Sequence, residues 1–139
     1  MRAPILAVTS ALAGMAASLG PAAAQSAGQS STFPQQLECA GNEPGWILRI
    51  NGPTAELSSL VMSTTLSLTG RDRAMDFLDP PVLVWRGTAG APTHTIVAFV
   101  TEGACYDTMA DGPPYPYSAV VSVSEGEVYA GCCGPASGN

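Results

Sequence analysis

The chain has 139 residues, room for one domain, with five arginines, no lysine, one histidine and eleven acidic residues. A formal net charge of −6 argues against nucleic acid and anionic membranes as partners, since both need a cationic face. Zinc is not expected from the four cysteines: no C-x-x-C occurs, and vicinal Cys132-Cys133 cannot readily supply two corners of a tetrahedral site.

Residues 1–24 read as a secretory signal. Arg2 is the positive start, residues 5–19 are apolar and uncharged, and Ala22-Ala23-Ala24 is a small-x-small cleavage pattern before Gln25. The apolar run is short for a membrane span and is broken by Thr9, Ser10 and Gly14. No cysteine lies at the cleavage point, which argues against a lipid anchor. The expectation is a soluble periplasmic or secreted monomer with no span after cleavage. That compartment is oxidising, so the cysteines should form disulfides. A bond between adjacent Cys132 and Cys133 would close a strained ring. The two remaining pairings both tie Cys39 and Cys105 to the C-terminal pair.

Residues 25–36 are rich in Ser, Gln, Gly and Ala and read as a flexible segment. A single β domain follows over 37–139. Gly41-Asn42-Glu43-Pro44 is a turn, and a strand follows with Trp46, Leu48 and Ile50 on one face and Ile47 and Arg49 on the other. Asn51-Gly52-Pro53 breaks it. Residues 56–68 suggest one or two strands, with 55–62 open to a short helix instead. Residues 70–81, with Arg71, Arg73, three aspartates and two prolines, read as an exposed connection. Residues 82–86 form a strand, 87–92 a turn, and 94–101 a strand with apolar residues on both faces, as if covered on both sides. Residues 117–123 alternate, Glu125-Gly126 turns, and 127–131 returns as a hairpin. Short, turn-bounded strands throughout indicate an all-β fold, a small antiparallel barrel or sandwich stapled by two disulfides.

Catalytic chemistry is not expected, and neither is a cofactor. A Ser/His/Asp site would need His94 as base, yet His94 lies within a strand pattern and no G-x-S-x-G is present. Bonded cysteines cannot serve as nucleophiles. Asp107 and Asp111, with Glu43 brought near through the disulfides, are oxygen donors of a kind calcium uses, but the EF-hand register is missing and turn chemistry explains both aspartates. Paired carboxylates for glycoside hydrolysis have nothing to set their separation. Tyr115-Pro116-Tyr117 after Pro113-Pro114 is a stiff segment suited to presenting rings.

The motifs Cys39-Ala40-Gly41-Asn42-Glu43-Pro44 with Trp46, Cys105-x-Asp107-x-Met109-x-Asp111, Tyr115-Pro116-Tyr117 and Gly131-Cys132-Cys133 resemble those of a family of uncharacterised bacterial exported proteins and lipoproteins. Its pattern runs G-N-E-P-F-W, C-x-D-G-M-S-D, Y-P-(Y/F) and G-C, and some members are fused to META-type or lysozyme-inhibitor-type envelope modules. Gly45 stands where that pattern has an aromatic, and Thr108 and Ala110 where it has Gly and Ser. The resemblance covers 39–133 and implies the pairing Cys105–Cys132 with Cys39–Cys133, because members with one bond keep the former. It implies no activity. Together these features suggest a non-catalytic cell-envelope binding module, inhibitor-like, for an envelope protein or small ligand. The alternative is a small barrel holding a metal or ligand at the Asp107–Asp111 loop. With those bridges, Glu43, Trp46, Asp107, Asp111, Tyr115 and Tyr117 would form the binding site at one end of the β structure. Acids would form its rim and rings its centre, unless Trp46 merely caps the core.

Overall fold

The computed structural model describes residues 33–124 and 126–137. The signal reading of residues 1–24 lies outside them, as does Glu125 of the last turn. Eight strands run in chain order: β1 (Gln36–Asn42), β2 (Gly45–Asn51), β3 (Thr54–Ser59), β4 (Leu66–Met75), β5 (Val82–Ala89), β6 (His94–Cys105), β7 (Tyr115–Val123) and β8 (Val128–Pro135). Each pairs antiparallel with the next, and β8 pairs with β1, closing an up-and-down barrel. Closure leaves no sheet edge unpaired. Of the two all-β architectures expected, the barrel forms.

The alternation read from β2 is the rule of the whole barrel. Inward positions carry Leu37, Leu48, Leu57, Ile96, Val100 and Val121, all nearly or fully buried, and no polar side chain is buried among the described residues. An eight-stranded barrel is just wide enough for such side chains to fill it. Two tryptophans complete the filling toward opposite rims. Trp46 at the start of β2 stacks on Tyr129 with centroids 5.9 Å apart. Its indole N–H donates to the Ala130 carbonyl at 3.3 Å. The indole needs glycine on β1 and on β8 beyond it: a Cβ on Gly41 would lie 2.3 Å from Trp46 Nε1, and one on Gly131 would lie 2.9 Å from its ring. Trp85 sits the same way in β5, its N–H donating to Gly52 O at 3.0 Å, in the turn at the other rim.

Several boundaries differ from the sequence reading, each for a physical reason. The helix open to 55–62 does not form, because Ala55 and Leu57 are inward positions of β3. The connection expected over 70–81 begins only at Asp76. Arg71 and Arg73 of β4 point outward, Asp72 stands opposite Trp85 at the barrel mouth, and Gly70 allows close approach to Gly87 rather than a turn. Likewise β5 continues through Gly87 to Ala89, leaving a shorter turn. The strand expected to be covered on both sides, β6, is covered on one: Ile96, Ala98 and Val100 are buried, while Phe99 is 44% exposed. A single-walled barrel has no second layer to cover it. The segment 25–36, read as flexible, ends in packed structure. Phe33 is buried with its ring 5.4 Å from that of Tyr117, and Gln36 opens β1.

Candidate functional site

The vicinal cysteines explain the most unusual part of the molecule. Successive side chains of a strand point to opposite faces, so Cys132 and Cys133 cannot share a side of β8. Cys133 points inward and bonds Cys39, its direct partner across the β1–β8 seam; both are fully buried in the core cluster. Cys132 points outward and bonds Cys105 at the end of β6. It is only 8% exposed yet lies outside the core cluster. What covers it is the connection between β6 and β7.

That connection leaves the sheet at a register shift between Glu102 and Cys105. Gly103 there has φ of +149°, a value that side-chain-bearing residues avoid. Residues 105–116 then lie as a strap on the outside of β8. At one end the Tyr115 ring comes within 3.5 Å of where a Gly134 Cβ would stand. At the other, Asp107 Oδ1 accepts from Asn42 Nδ2 at 2.8 Å, linking the strap to the last residue of β1. The same oxygen accepts from the Met109 N–H at 2.9 Å, and Ala110 N–H donates to Asp107 O at 3.3 Å, closing a tight turn. Two shallow grooves result. One of about 430 Å³ runs between Glu43, Tyr106, Asp107, Met109 and Ala130. The other, about 410 Å³, lies between Asp111, Tyr115 and Gly134.

The predicted site residues divide accordingly. Glu43 and Asp107 share the first groove, and Asp111 and Tyr115 the second. Asp107 is also a turn and anchoring residue. Trp46 is 2% exposed and belongs to the interior, so it is the core cap rather than the centre of a ring cluster. Tyr117 is half-buried against the core. Burial, and secondarily the charge of Glu102, pushes its phenol above the ordinary 10.0. The convergence expected at one end of the barrel is thus a strap along its side. Among the described residues, no group of three or more His, Cys, Asp and Glu could hold a metal ion. Asp107, half of the alternative metal loop, spends one oxygen on Asn42 and Met109.

Sequence reading missed two residues of the strap. Tyr106 is 71% exposed and Met109 74%. Both flank Asp107 beside a cysteine in a segment with no apolar period, the one pattern that marks exposed apolar residues in a loop. Comparison with family models, curated proteins and solved structures finds no match.

Proposed function

We propose that the protein is an exported, non-catalytic binding module of the cell envelope, with the strap as its recognition surface and an inhibitor-like role toward a cationic partner. One observation carries this reading. The strap is fixed at both ends and by a disulfide, yet it turns Tyr106, Met109 and Asp111 to solvent. Neither the Tyr106 nor the Asp111 side chain has a hydrogen-bond or ion-pair partner among the described residues. A pre-ordered loop loses little entropy when it meets a partner, and exposed aromatics with acids around them suit a basic, partly apolar surface. The filled barrel core supports the same reading, since its inward side chains pack against one another and leave only a mouth cavity between Phe33, Ile50, Asp72 and Leu83. The two disulfides are consistent with an oxidising compartment outside the cytoplasm.

Titration calorimetry of the oxidised protein against basic lysozymes tests the proposal. Tyr106→Ala and Asp111→Ala are each expected to weaken binding about tenfold or more, the scale of an interface hot spot. Melting temperatures should stay within a degree or two, because neither side chain packs on the core. Normal binding by both variants would place recognition elsewhere; no binding by the wild type would remove this class of partner.

A further inference from the structure

The low cation count hides a segregation that only the closed barrel reveals. Of the four arginines after residue 24, Arg49 pairs with Glu38 at 2.7 Å. The other three lie together on the outer wall. Arg71 and Arg86 are direct cross-strand partners on β4 and β5, and Arg73 is the next outward residue of β4. None of these three has a hydrogen-bond or ion-pair partner among the described residues. Like charges facing one another across a ladder are destabilising. No outward position of β4, β5, β6 or β7 supplies a carboxylate to relieve them. Beside the arginines runs an outward apolar row, Val84 opposite Phe99 opposite Val120, with Phe99 44% and Val120 47% exposed.

We propose that this cationic and apolar wall docks the strap of a second copy of the chain. The inference rests on the reading of the strap as a recognition surface and names one partner for it. Charge decides between occupants. The strap is acidic where the wall is basic, and its exposed Tyr106 and Met109 offer the apolar surface that the Val84–Phe99–Val120 row lacks. In the closed strand order, β4 and β5, which hold the three arginines, lie across the barrel from β8 and β1, which carry the strap, while the apolar row reaches round to β7 beside β8. The arginines and the acidic strap that would meet them therefore do not share a single two-fold patch. The contact is head-to-tail, each copy offering its strap to one neighbour and its wall to another. The excess of acids repels copies at long range. At about 0.15 M ionic strength the screening length is about 8 Å, which suppresses that repulsion while leaving contact pairs largely intact.

Sedimentation velocity on the oxidised protein over a concentration series reads this out. The wild type is expected to grow past dimer, and to revert to monomer near 1 M salt. Arg86→Glu disables the wall and Asp111→Arg the strap, so each alone is expected to stay monomeric, weakened more than about tenfold. Mixed, the two variants retain one live strap and one live wall and should form a 1:1 dimer that grows no further. A wild type that stays monomeric overturns the proposal, as does a dimer that never extends or a mixture that stays monomeric. Wild-type monomers that bind phosphatidylglycerol vesicles through Arg86 would assign the wall to an anionic membrane and also overturn it. Circular dichroism of each variant separates lost contact from lost fold. Basic lysozyme keeps the two readings apart. If it binds Arg86→Glu normally while the wild type does not self-associate, only this inference fails. If copies associate through Asp111 and no cationic protein binds, only the external partner fails.

Discussion

Cys132 and Cys133 are adjacent in the chain, and their bridges hold unlike parts of the molecule. The Cys39–Cys133 bridge joins strands that are already hydrogen-bonded, inside a filled core, at the seam where the sheet closes. The Cys105–Cys132 bridge holds a twelve-residue excursion (105–116) against the outer wall, where hydrogen bonds are few. The inner bridge makes the scaffold; the outer one makes a surface on it. The difference teaches that a vicinal pair in a strand can tie the two faces of one sheet to separate tasks, because period-two alternation sends neighbours to opposite sides.

Removing the inner bridge should have the largest effect. It spans 94 residues of sequence, and chain entropy alone assigns such a loop about 4–5 kcal/mol. Two fully buried sulfurs are also replaced by smaller groups in the Cys39→Ala/Cys133→Ala variant, leaving a cavity. A domain of this size has only about 5–15 kcal/mol in total. Urea denaturation should therefore show a midpoint far below that of the wild type, with altered near-ultraviolet dichroism from Trp46, which lies at the same β1–β8 seam. An unshifted midpoint would mean that the seam is held by its hydrogen bonds and packing alone.

The outer bridge spans 27 residues, so the Cys105→Ala/Cys132→Ala variant should lose somewhat less, about 3–4 kcal/mol. Its signature should differ in kind more than in size. The core spectra of Trp46 and Trp85 are expected to stay native. Amide exchange should accelerate selectively at Met109 and Ala110, whose N–H groups depend on the turn at Asp107. Accelerated exchange across β1 and β8 instead would erase the distinction between the two bridges.

How much of this was legible in sequence follows from what alternation can and cannot encode. The inward faces of β2 and β7 could be read directly, since Trp46, Leu48 and Ile50, and then Ala119, Val121 and Val123, repeat every second residue and are buried. The reach of β4 was not legible. Its outward arginines look like a loop until strand closure supplies a buried face for Leu68 and a glycine contact at Gly87. Phe33 was missed for the same reason: one aromatic in a polar segment says nothing of Tyr117, which lies far along the chain. The two anchored loops were expected together on the strength of the cysteines, and Asn42 does meet Asp107. Their position along the side of the barrel was not accessible. It depends on a register shift at Gly103 that no local pattern announces. Net charge concealed the arginine wall, because a sum over residues carries no geometry.

The smallest effect concerns the point between the two bridges. Tyr117 on β7 stands opposite Cys133, while Tyr115, two residues earlier, stands opposite Cys105. Tyr117 thus marks where the chain passes from surface strap to core, and its phenol reports that boundary. Burial first, and the neighbouring Glu102 carboxylate second, favour the neutral form and raise the pKa above 10.0. In the folded protein the proton is held more tightly than in the unfolded chain. The stability this supplies is complete below pH 10, where both states are protonated. As pH rises past 10 the unfolded chain ionises first, and the contribution is lost as pH climbs through the folded value. Tyr117→Phe keeps the ring against Phe33 and removes the titrating group. Its stability should therefore fall less steeply than that of the wild type above pH 10, and match its trend at neutral pH. All four cysteines are bonded, so alkaline thiol exchange has no free thiolate to start it. Parallel alkaline limbs for the two proteins would show that Tyr117 ionises as freely in the fold as outside it, and that the strap's solvent reaches further into the barrel rim than its packing against Phe33 implies.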